Sequence, residues 1–415
     1  MCPEKRKRFP KLTILVVQKK NNEKMENPIQ FTKEQLKYAI NEHIKQGEGV
    51  QELLGMVLNS VMKCERDVYL SESKSGNKGN GYRLVKNSSL GNGIHFRIPR
   101  DRLGHFQPMV MELIHNQTEK IHNLAFHLYG SGLSTRQIER ILSEMYGSGY
   151  SKSSISRISD EYSELLSSWL HKSLDSYYPV IYIDATHVKV RRDTVSSEAF
   201  YVILGLKEDH TREILGVVNY PTESSSNWED VLEDLKSRGL ENVGLIVSDD
   251  LSGLTESVSK HFPEASQQKC ILHFQRNLNK KIRVSDRKPF SQELKQLFNP
   301  DQEGLSKKEA VEALKSFIGK WDSKYPKLAK LTLNPNIELL FTYLDYDKDI
   351  RRMIYTTNWI ERLNKSFKRT LKNRNALPSI DAAMKLFAYT GIEIENNTYS
   401  YPLYIFKNEN KLVQY

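Results

Sequence analysis

Cysteine is scarce in this chain. Its three cysteines, Cys2, Cys64 and Cys270, are spread over 415 residues. Small secreted domains that depend on disulfides carry many cysteines at short spacings, and the pattern here excludes such a framework. The scarcity of cysteine is typical of a protein that works in the reducing interior of a cell.

Long hydrophobic runs are absent as well. No stretch approaches the roughly 18 apolar residues that a membrane-spanning helix needs. The apolar run at residues 12–17 is shorter than the core of an export signal, and Gln18 and two lysines stand where a cleavage site would be expected. We therefore predict a cytoplasmic protein with no membrane partner. Residues 1–24 are interpreted as an upstream extension, because Met25 opens a more ordinary protein start.

Acidic residues are too few to balance the basic ones. Lys and Arg total 61 against 51 Asp and Glu, which gives a net charge of +10 and a pI near 9.1. This excess favours a polyanionic partner, and nucleic acid before a membrane surface. With 39% hydrophobic and 27% charged residues the composition is typical of a globular protein, and the length allows two or three domains.

The N-terminal part of the chain shows helical periodicity. Residues 25–93 combine apolar positions at helical spacing with a region rich in Gly, Ser and Asn, which predicts a helical region and a linker containing a short hairpin. Residues 94–172 continue with three predicted helices separated by pairs of glycines. The two regions together predict a mainly helical N-terminal part.

The three helices predict a DNA-binding unit. Ser134 with Gln137 forms the pattern of a capping box at the second helix, and Ser153 is expected to cap the third. Lys152 and Arg157 place positive charge near the start of the third helix, which is typical of a helix-turn-helix. A plain helical bundle agrees with the same pattern.

The pattern changes after residue 173. Three strands, a helix, a strand and a helix follow up to residue 284, which predicts an α/β domain in which Trp228 anchors the first of these helices on the sheet. Residues 285–350 have a helical pattern. Residues 351–415 open with a basic helix, "NWIERLNKSFKRTLKNRN", and end in a tail to which we assign no function. The apolar stripe of this helix, formed by Ile360, Leu363, Phe367 and Leu371, is expected to dock it on the sheet, with Glu361 at the edge of the stripe.

Three acidic residues stand out. Asp184 lies within an apolar strand, Asp249 at the end of another, and Glu361 in the basic helix. Each alone has an ordinary explanation: a satisfied core Asp, a capped turn, or a helical pair of Glu361 with Lys365. Together they supply three carboxylates from two strands and one helix. Such a set would hold two Mg²⁺ or Mn²⁺ ions for phosphodiester chemistry.

Basic and amide side chains near these acids predict contacts with DNA phosphates, with ordinary solvated charges as the alternative. Besides Lys152 and Arg157, the predicted contacts are Arg191, Arg276, Arg362, Lys365, Lys368, Arg369 and Lys372.

Several stretches, in order from about residue 80 to 378, resemble the Mutator-type transposases of bacterial insertion sequences. They include "LYGSGLSTRQIERILSEMYGSGYSKSSISRI", "IYIDATHVKVRR", "LIVSDDLSGL", "FPEASQQKCILHFQRNL" and "YTTNWIERLNKSFKRTLKNR". The resemblance implies a DDE transposase with an RNase H-like mixed sheet, flanking helices and an all-α insertion, preceded by a helix-turn-helix region. It further implies an enzyme that binds terminal inverted repeats, cleaves DNA and joins the 3′ hydroxyl to target DNA. Such an enzyme would act as a homodimer or higher assembly, associated with the bacterial nucleoid when bound.

The resemblance assigns roles to individual residues. Asp184, Asp249 and Glu361 match the two Asp and the Glu of the family as catalytic residues and metal ligands. Cys270 and His273 match its Cys-x-x-His, and because two ligands cannot close a zinc site, a role in shaping the catalytic site is expected. Asn364 and Lys365, one turn beyond Glu361, match the family's pattern there, which implies contacts with DNA; simple solvation of the helix is the alternative.

The domain organisation follows from the same match. Residues 173–284 and 351–415 would form the two parts of the catalytic domain, and residues 285–350 the insertion between them. The family has Gly where Asp250 stands, so Asp250 is an alternative to Asp249. The competing functions are an inactive, transposase-derived DNA-binding regulator and another RNase H-like nuclease.

Overall fold

A computed structural model describes most of the chain, namely residues 50–73, 76–86, 94–146, 150–220, 225–328, 330 and 335–403. The predicted extension, the first part of the N-terminal helical region and the end of the tail lie outside these residues. The chain divides into two compact units, Met1–Tyr162 and Ser163–Tyr415. No helix in the described part of the chain is long and apolar enough to cross a membrane.

The first unit contains four helices and a two-stranded hairpin among its described residues. Helix α1 covers Val50–Glu72, and the antiparallel strands β1 (Gly79–Lys86) and β2 (His95–Asp101) confirm the predicted hairpin. A cluster that includes Met62, Phe96 and Ile114 forms the core here. The remaining helices are α2 (Met109–Gly130), α3 (Thr135–Tyr146) and α4 (Lys152–Glu161).

The predicted caps of the helices in this unit agree with the structure, with one correction. Gln137 Oε1 accepts from the Ser134 backbone N–H at 2.8 Å, and the Gln137 N–H donates to Ser134 Oγ at 3.4 Å, which confirms the capping box. The cap of α4 is Ser151, which accepts from the Ser154 N–H at 3.2 Å. The prediction of Ser153 was wrong because the helix begins at Lys152, leaving Ser151 as the extended residue before it.

The third predicted helix is interrupted at Tyr162. The Tyr162 ring stacks on Phe126 with ring centroids 3.8 Å apart, and its hydroxyl donates to Asn123 on the same helix α2. This packing against α2 ends α4 at Glu161, and a separate helix begins at Ser163.

The second unit is built on a five-stranded mixed sheet. The strands are β3 (Tyr177–Arg191), β4 (Val195–Leu206), β5 (Arg212–Asn219), β6 (Asn242–Ser248) and β7 (Ser266–Lys269). They lie in the order β5-β4-β3-β6-β7, with β3, β4 and β5 antiparallel and β3, β6 and β7 parallel. The predicted α/β order is therefore confirmed.

Helices α5 to α13 of this unit are Ser163–Leu170, Ser225–Ser237, Leu254–His261, Ile271–Lys280, Arg287–Leu297, Lys307–Asp322, Lys348–Ile354, Asn358–Lys372 and Ile380–Ile394. A π-helical turn, Glu395–Tyr399, follows α13 directly.

Both faces of the sheet are covered. On one face Trp228 of α6 is buried and meets the Tyr201 ring edge-on at 5.0 Å, which confirms its predicted anchoring role. On the other face Phe387 of α13 contacts both Phe200 of β4 and Phe367 of α12, with ring centroids 5.0 and 4.9 Å apart. Helix α12 is thereby docked on the same face of the sheet as Asp184.

Residues 337–345, before α11, depart from the expected helix. They contain two 3₁₀ turns, Ile337–Leu340 and Thr342–Asp345. The Gln268 side chain from β7 donates to the Leu340 carbonyl at 3.0 Å and accepts from the Tyr343 N–H at 2.7 Å. These bonds from a neighbouring strand replace helical ones, which sequence periodicity cannot reveal.

Candidate active site

Asp184 lies in the middle of the sheet. Its strand, β3, has neighbours on both sides, and the side chain is only 7% exposed. One carboxylate oxygen accepts from the Ala185 N–H and the other from Asn364 Nδ2, both at 2.9 Å. Burial raises the pKa of Asp184 and outweighs the opposing effects of the Asn364 hydrogen bond and of His273.

Asp249 follows the adjacent parallel strand. Ile183 of β3 is paired with Ser248 of β6, so Asp184 and Asp249 are the next residues on neighbouring strands. The Asp249 side chain accepts from the Asp250 N–H at 2.9 Å, while Asp250 forms an ion pair with Lys269. Asp249, and not Asp250, contacts His273 at the site.

Glu361 lies in the first turn of α12. The predicted apolar stripe of this helix is buried, so that Glu361 is held at its edge. Its Oε1 accepts from Arg276 Nη1 of α8 at 2.9 Å, whereas Lys365 is exposed to solvent. The pairing partner of Glu361 in this structure is thus on another helix, and not one turn along its own.

His273 lies between two of the carboxylates. Its Nδ1 is 3.7 Å from Asp249 Oδ2, and its Nε2 is 3.8 Å from Glu361 Oε1. A hydrogen bond with Cys270 and the charges of Asp249 and Asp184 outweigh its burial and raise the pKa of His273 to about 9. At neutral pH the ring therefore carries a positive charge beside Asp249 and Glu361, while Arg276 Nη1 lies 3.4 Å from its Nε2.

Cys270 joins the two helices that carry the site. It precedes α8, as Thr357 precedes α12, and both are buried. The Thr357 N–H and hydroxyl donate to Cys270 Sγ at 3.4 and 3.2 Å, and the hydroxyl is 3.5 Å from His273 Nδ1. The Ile271 N–H also donates to the Tyr355 carbonyl at 3.1 Å. Sequence reasoning missed Thr357, whose only signal is its place before the helix of Glu361.

Asn364 occupies an unexpected place. Predicted to contact DNA, it is 4% exposed and bonded to Asp184. Its signal in the sequence was its position within the apolar stripe, one turn after Glu361.

The other predicted contact residues are exposed. Arg191 ends β3, and its backbone N–H donates to the Leu377 carbonyl just beyond α12, so it lies near the end of that helix. Arg276 is 53% exposed beside Glu361. Lys152 and Arg157 are exposed on α4 of the first unit. The solvent-facing side of α12 carries the remaining ones, which are Arg362, Lys365, Lys368, Arg369 and Lys372.

A cavity of about 160 Å³ adjoins Asp249. Its lining includes the apolar side chains of Phe274 and Leu278 from α8 and the cations Lys269 and Lys281. There is consequently room beside Asp249 for a group larger than a metal ion.

The acidic side chains fit a divalent cation in type and charge. Carboxylate oxygens are the ligands that Mg²⁺ and Mn²⁺ prefer, and a cation would favour the ionised form of buried Asp184. Among the described residues no group of three or more His, Cys, Asp or Glu side chains is spaced to hold a metal ion. In this structure His273 lies between Asp249 and Glu361, and Arg276 is paired with Glu361.

Comparison with known proteins identifies the family. The profile described as "Transposase, Mutator family" matches residues 25–399. The transposase for insertion sequence element IS905 of Lactococcus lactis is 30% identical over 364 residues, which cover 85% of this chain and 90% of that protein. The transposase for IS1201 of Lactobacillus helveticus is 31% identical over 79% of this chain and 89% of its own length. The transposase for IS256 in transposon Tn4001 of Staphylococcus aureus is 28% identical over 85% and 90%. This chain belongs to the Mutator family of transposases.

Proposed function

We propose that the chain is a DDE transposase, which cleaves DNA at the ends of its insertion sequence and joins the 3′ hydroxyl to target DNA. The observation that carries this proposal is the convergence of Asp184, Asp249 and Glu361 on His273, from two adjacent parallel strands and one helix. Three antiparallel strands followed by parallel β6 and β7 support an RNase H-like fold, with Asp184 on its first strand and Asp249 after its fourth.

The three carboxylates would hold two Mg²⁺ or Mn²⁺ ions. When bound, such ions lower the pKa of an attacking water or hydroxyl and stabilise the leaving oxygen of the phosphodiester. The chain itself fixes the acids: β3 and β6 set the spacing of Asp184 and Asp249, and α12 brings Glu361 to them. His273 and Arg276 keep the acids neutralised until the cations and DNA are present.

The exposed cations would hold DNA at this site. The basic row on α12 consists of Arg362, Lys365, Lys368, Arg369 and Lys372. It extends from Glu361 along the solvent face of one helix and suits a phosphate backbone. Arg191 and Arg276 add positive charge at its two ends. The cavity beside Asp249 would admit part of the bound nucleotide.

The first unit would recognise the terminal inverted repeats. Helices α3 and α4 follow each other through a short connection, and α4 exposes Lys152 and Arg157, as a helix-turn-helix requires. We further propose that residues 285–350 are an insertion in the catalytic domain, and that the enzyme acts as a homodimer or higher assembly on DNA.

A strand-transfer assay tests the proposal. The substrate is DNA carrying the inverted repeats that flank the gene, with Mg²⁺ or Mn²⁺ and a target plasmid. We expect Asp184→Asn, Asp249→Asn and Glu361→Gln each to abolish cleavage and joining while binding to the repeats persists. The matched control is Asp250→Asn, which we expect to stay active because Asp250 pairs with Lys269 away from His273.

The other outcomes identify the competing functions. Binding without cleavage by the unmodified protein would indicate a regulator. Cleavage without joining would indicate a nuclease of another kind. Full activity of any of the three variants would remove that residue from the catalytic set.

A further inference from the structure

Asn364 is oriented by Asp184. Its Nδ2 donates to Asp184 Oδ2 at 2.9 Å, in a buried position on α12. Because an ionised carboxylate only accepts hydrogen bonds, the NH₂ group of the amide must face Asp184. The orientation of the other amide atom, Oδ1, is then determined.

Asn364 Oδ1 is buried and has no hydrogen-bond partner within the described part of the chain. Since Oδ1 and Nδ2 belong to one planar amide group, Oδ1 lies close to Asp184. Thr186 follows two residues later on the same face of β3, and its buried hydroxyl also lacks a partner among the described residues. Native proteins rarely leave such groups unsatisfied, so a ligand or a water is expected here.

The position of Asn364 makes an ordinary packing role a poor explanation. It interrupts the stripe formed by Ile360, Leu363 and Phe367, where an apolar residue would pack without cost. Its near-complete burial also argues against the DNA contact that the sequence predicted. Asn364 instead lies beside two of the proposed metal ligands: it is bonded to Asp184 and is one helical turn from Glu361.

We propose that Asn364 belongs to the metal-binding centre of the transposase. Its amide nitrogen holds Asp184 in place, and its Oδ1 supplies a further oxygen to the bound divalent cation. The inference rests on the proposed function, because it requires that the three carboxylates bind such a cation. It adds a neutral, oxygen-bearing residue to a set that the sequence had limited to acids.

A titration with Mn²⁺ tests this role without DNA or turnover. The full-length protein is titrated, and the electron paramagnetic resonance signal of the free ion reports how much Mn²⁺ is bound. Asn364→Leu removes both amide atoms at similar volume, and we expect it to weaken Mn²⁺ binding by about 10- to 100-fold. Asn364→Asp loses the donor to Asp184 but keeps an oxygen, so we expect it to bind Mn²⁺ distinctly more tightly than Asn364→Leu. Ser366→Ala, on the same helix, serves as the matched control with unchanged affinity.

Two results would overturn the inference. Unchanged affinity in Asn364→Leu would mean that a structural water satisfies Oδ1, and equal loss in both Asn364 variants would mean that only the donor matters. If Asn364→Leu does not fold, as judged by circular dichroism, Asn364→Ala replaces it with the same expectation. Failure of the unmodified protein to bind Mn²⁺, with Asp249→Asn as the reference, would instead overturn the proposed function and the inference with it.

Discussion

Asp184 is a charged group at a position where burial disfavours charge. Its central strand leaves little solvent around the carboxylate, and one amide and one backbone N–H are its hydrogen-bond donors. The pKa of Asp184 is accordingly raised above its ordinary value, chiefly by burial, and the nearby charge of Asp249 adds to this effect. A residue of this kind reduces the stability of the metal-free protein.

We expect Asp184→Asn to increase the free energy of unfolding of the metal-free protein by about 1 kcal/mol, because it removes a buried charge from a functional site. The pKa of Asp184 is higher in the folded protein than its value of 3.8 in the unfolded chain. Ionisation of Asp184 therefore lowers the free energy of unfolding as the pH rises above 3.8, and this loss is complete once the pH exceeds the folded pKa. The advantage of the variant should therefore shrink as the pH falls towards 3.8.

Urea unfolding in the presence of a chelator, repeated between neutral and acidic pH, measures this difference. Lower stability of Asp184→Asn at neutral pH would show that Asn364 and His273 already compensate the charge.

At the scale of elements, α12 combines two functions on two faces. One face packs on the sheet through Ile360, Leu363 and Phe367, and the other carries the basic row. The sequence predicted this division, because the apolar stripe and the run of Lys and Arg are both visible at helical spacing. The burial of Asn364 within the stripe was not predicted, since it depends on Asp184, 180 positions away in the chain.

Replacing Lys365, Lys368 and Lys372 with Gln should weaken DNA binding and make it less sensitive to salt. Each lost phosphate contact is expected to reduce the slope of log K against log[salt] by about 0.9. Fluorescence anisotropy with labelled DNA at several salt concentrations gives the slope. The control is Lys320→Gln on α10, a lysine that pairs with Glu293, and an equal change in slope there would contradict the role of α12.

A second charged cluster connects helix α5, strand β5 and the π-helical turn. Lys172 is 7% exposed and lies 3.1 Å from Glu213 and 2.8 Å from Glu395. Trp169 Nε1 and the Ile214 N–H donate to the Glu395 carboxylate at 2.6 and 2.7 Å. These bonds attach the chain after α13 to the edge of the sheet, in a region to which the sequence assigned no role.

Lys172→Met should destabilise the protein by about 3–5 kcal/mol, because two largely buried carboxylates lose their shared cation. Lys207→Met is the matched comparison, since Lys207 also pairs with Glu213 but is more exposed. We expect a clearly smaller loss there. Thermal unfolding of both variants measures the two losses of stability. Equal losses would mean that the burial of Lys172 does not make its ion pairs more stabilising than those of Lys207.

At the scale of the whole molecule, the chain contains two compact units, and the three acids belong to the second. Binding of the proposed cations would therefore stabilise that unit directly. A ligand present at about 100 times its dissociation constant raises the free energy of unfolding by about 2.7 kcal/mol.

Mn²⁺ should accordingly raise the unfolding temperature of the protein. Differential scanning calorimetry with Mn²⁺ or with chelator measures the shift. Asp249→Asn should lose it, since it removes one of the three proposed carboxylate ligands. A shift of the same size in that variant would place the bound ion elsewhere.

The sequence by itself determined most of the order of helices and strands and the basic surface of α12, and it indicated the three candidate acids. These features depend on local periodicity, composition and short motifs, which are properties of neighbouring residues. The tertiary structure decided which side chains meet: His273 between Asp249 and Glu361, Thr357 on Cys270, Gln268 in the 3₁₀ segment and Asn364 on Asp184. These contacts join residues that are far apart in the chain, such as Thr357 and Cys270, 87 positions apart, and Asn364 and Asp184, 180 positions apart. They arise only when the strands of the sheet pack with helices α8 and α12, because hydrogen bonds between distant segments leave no periodic trace in the sequence.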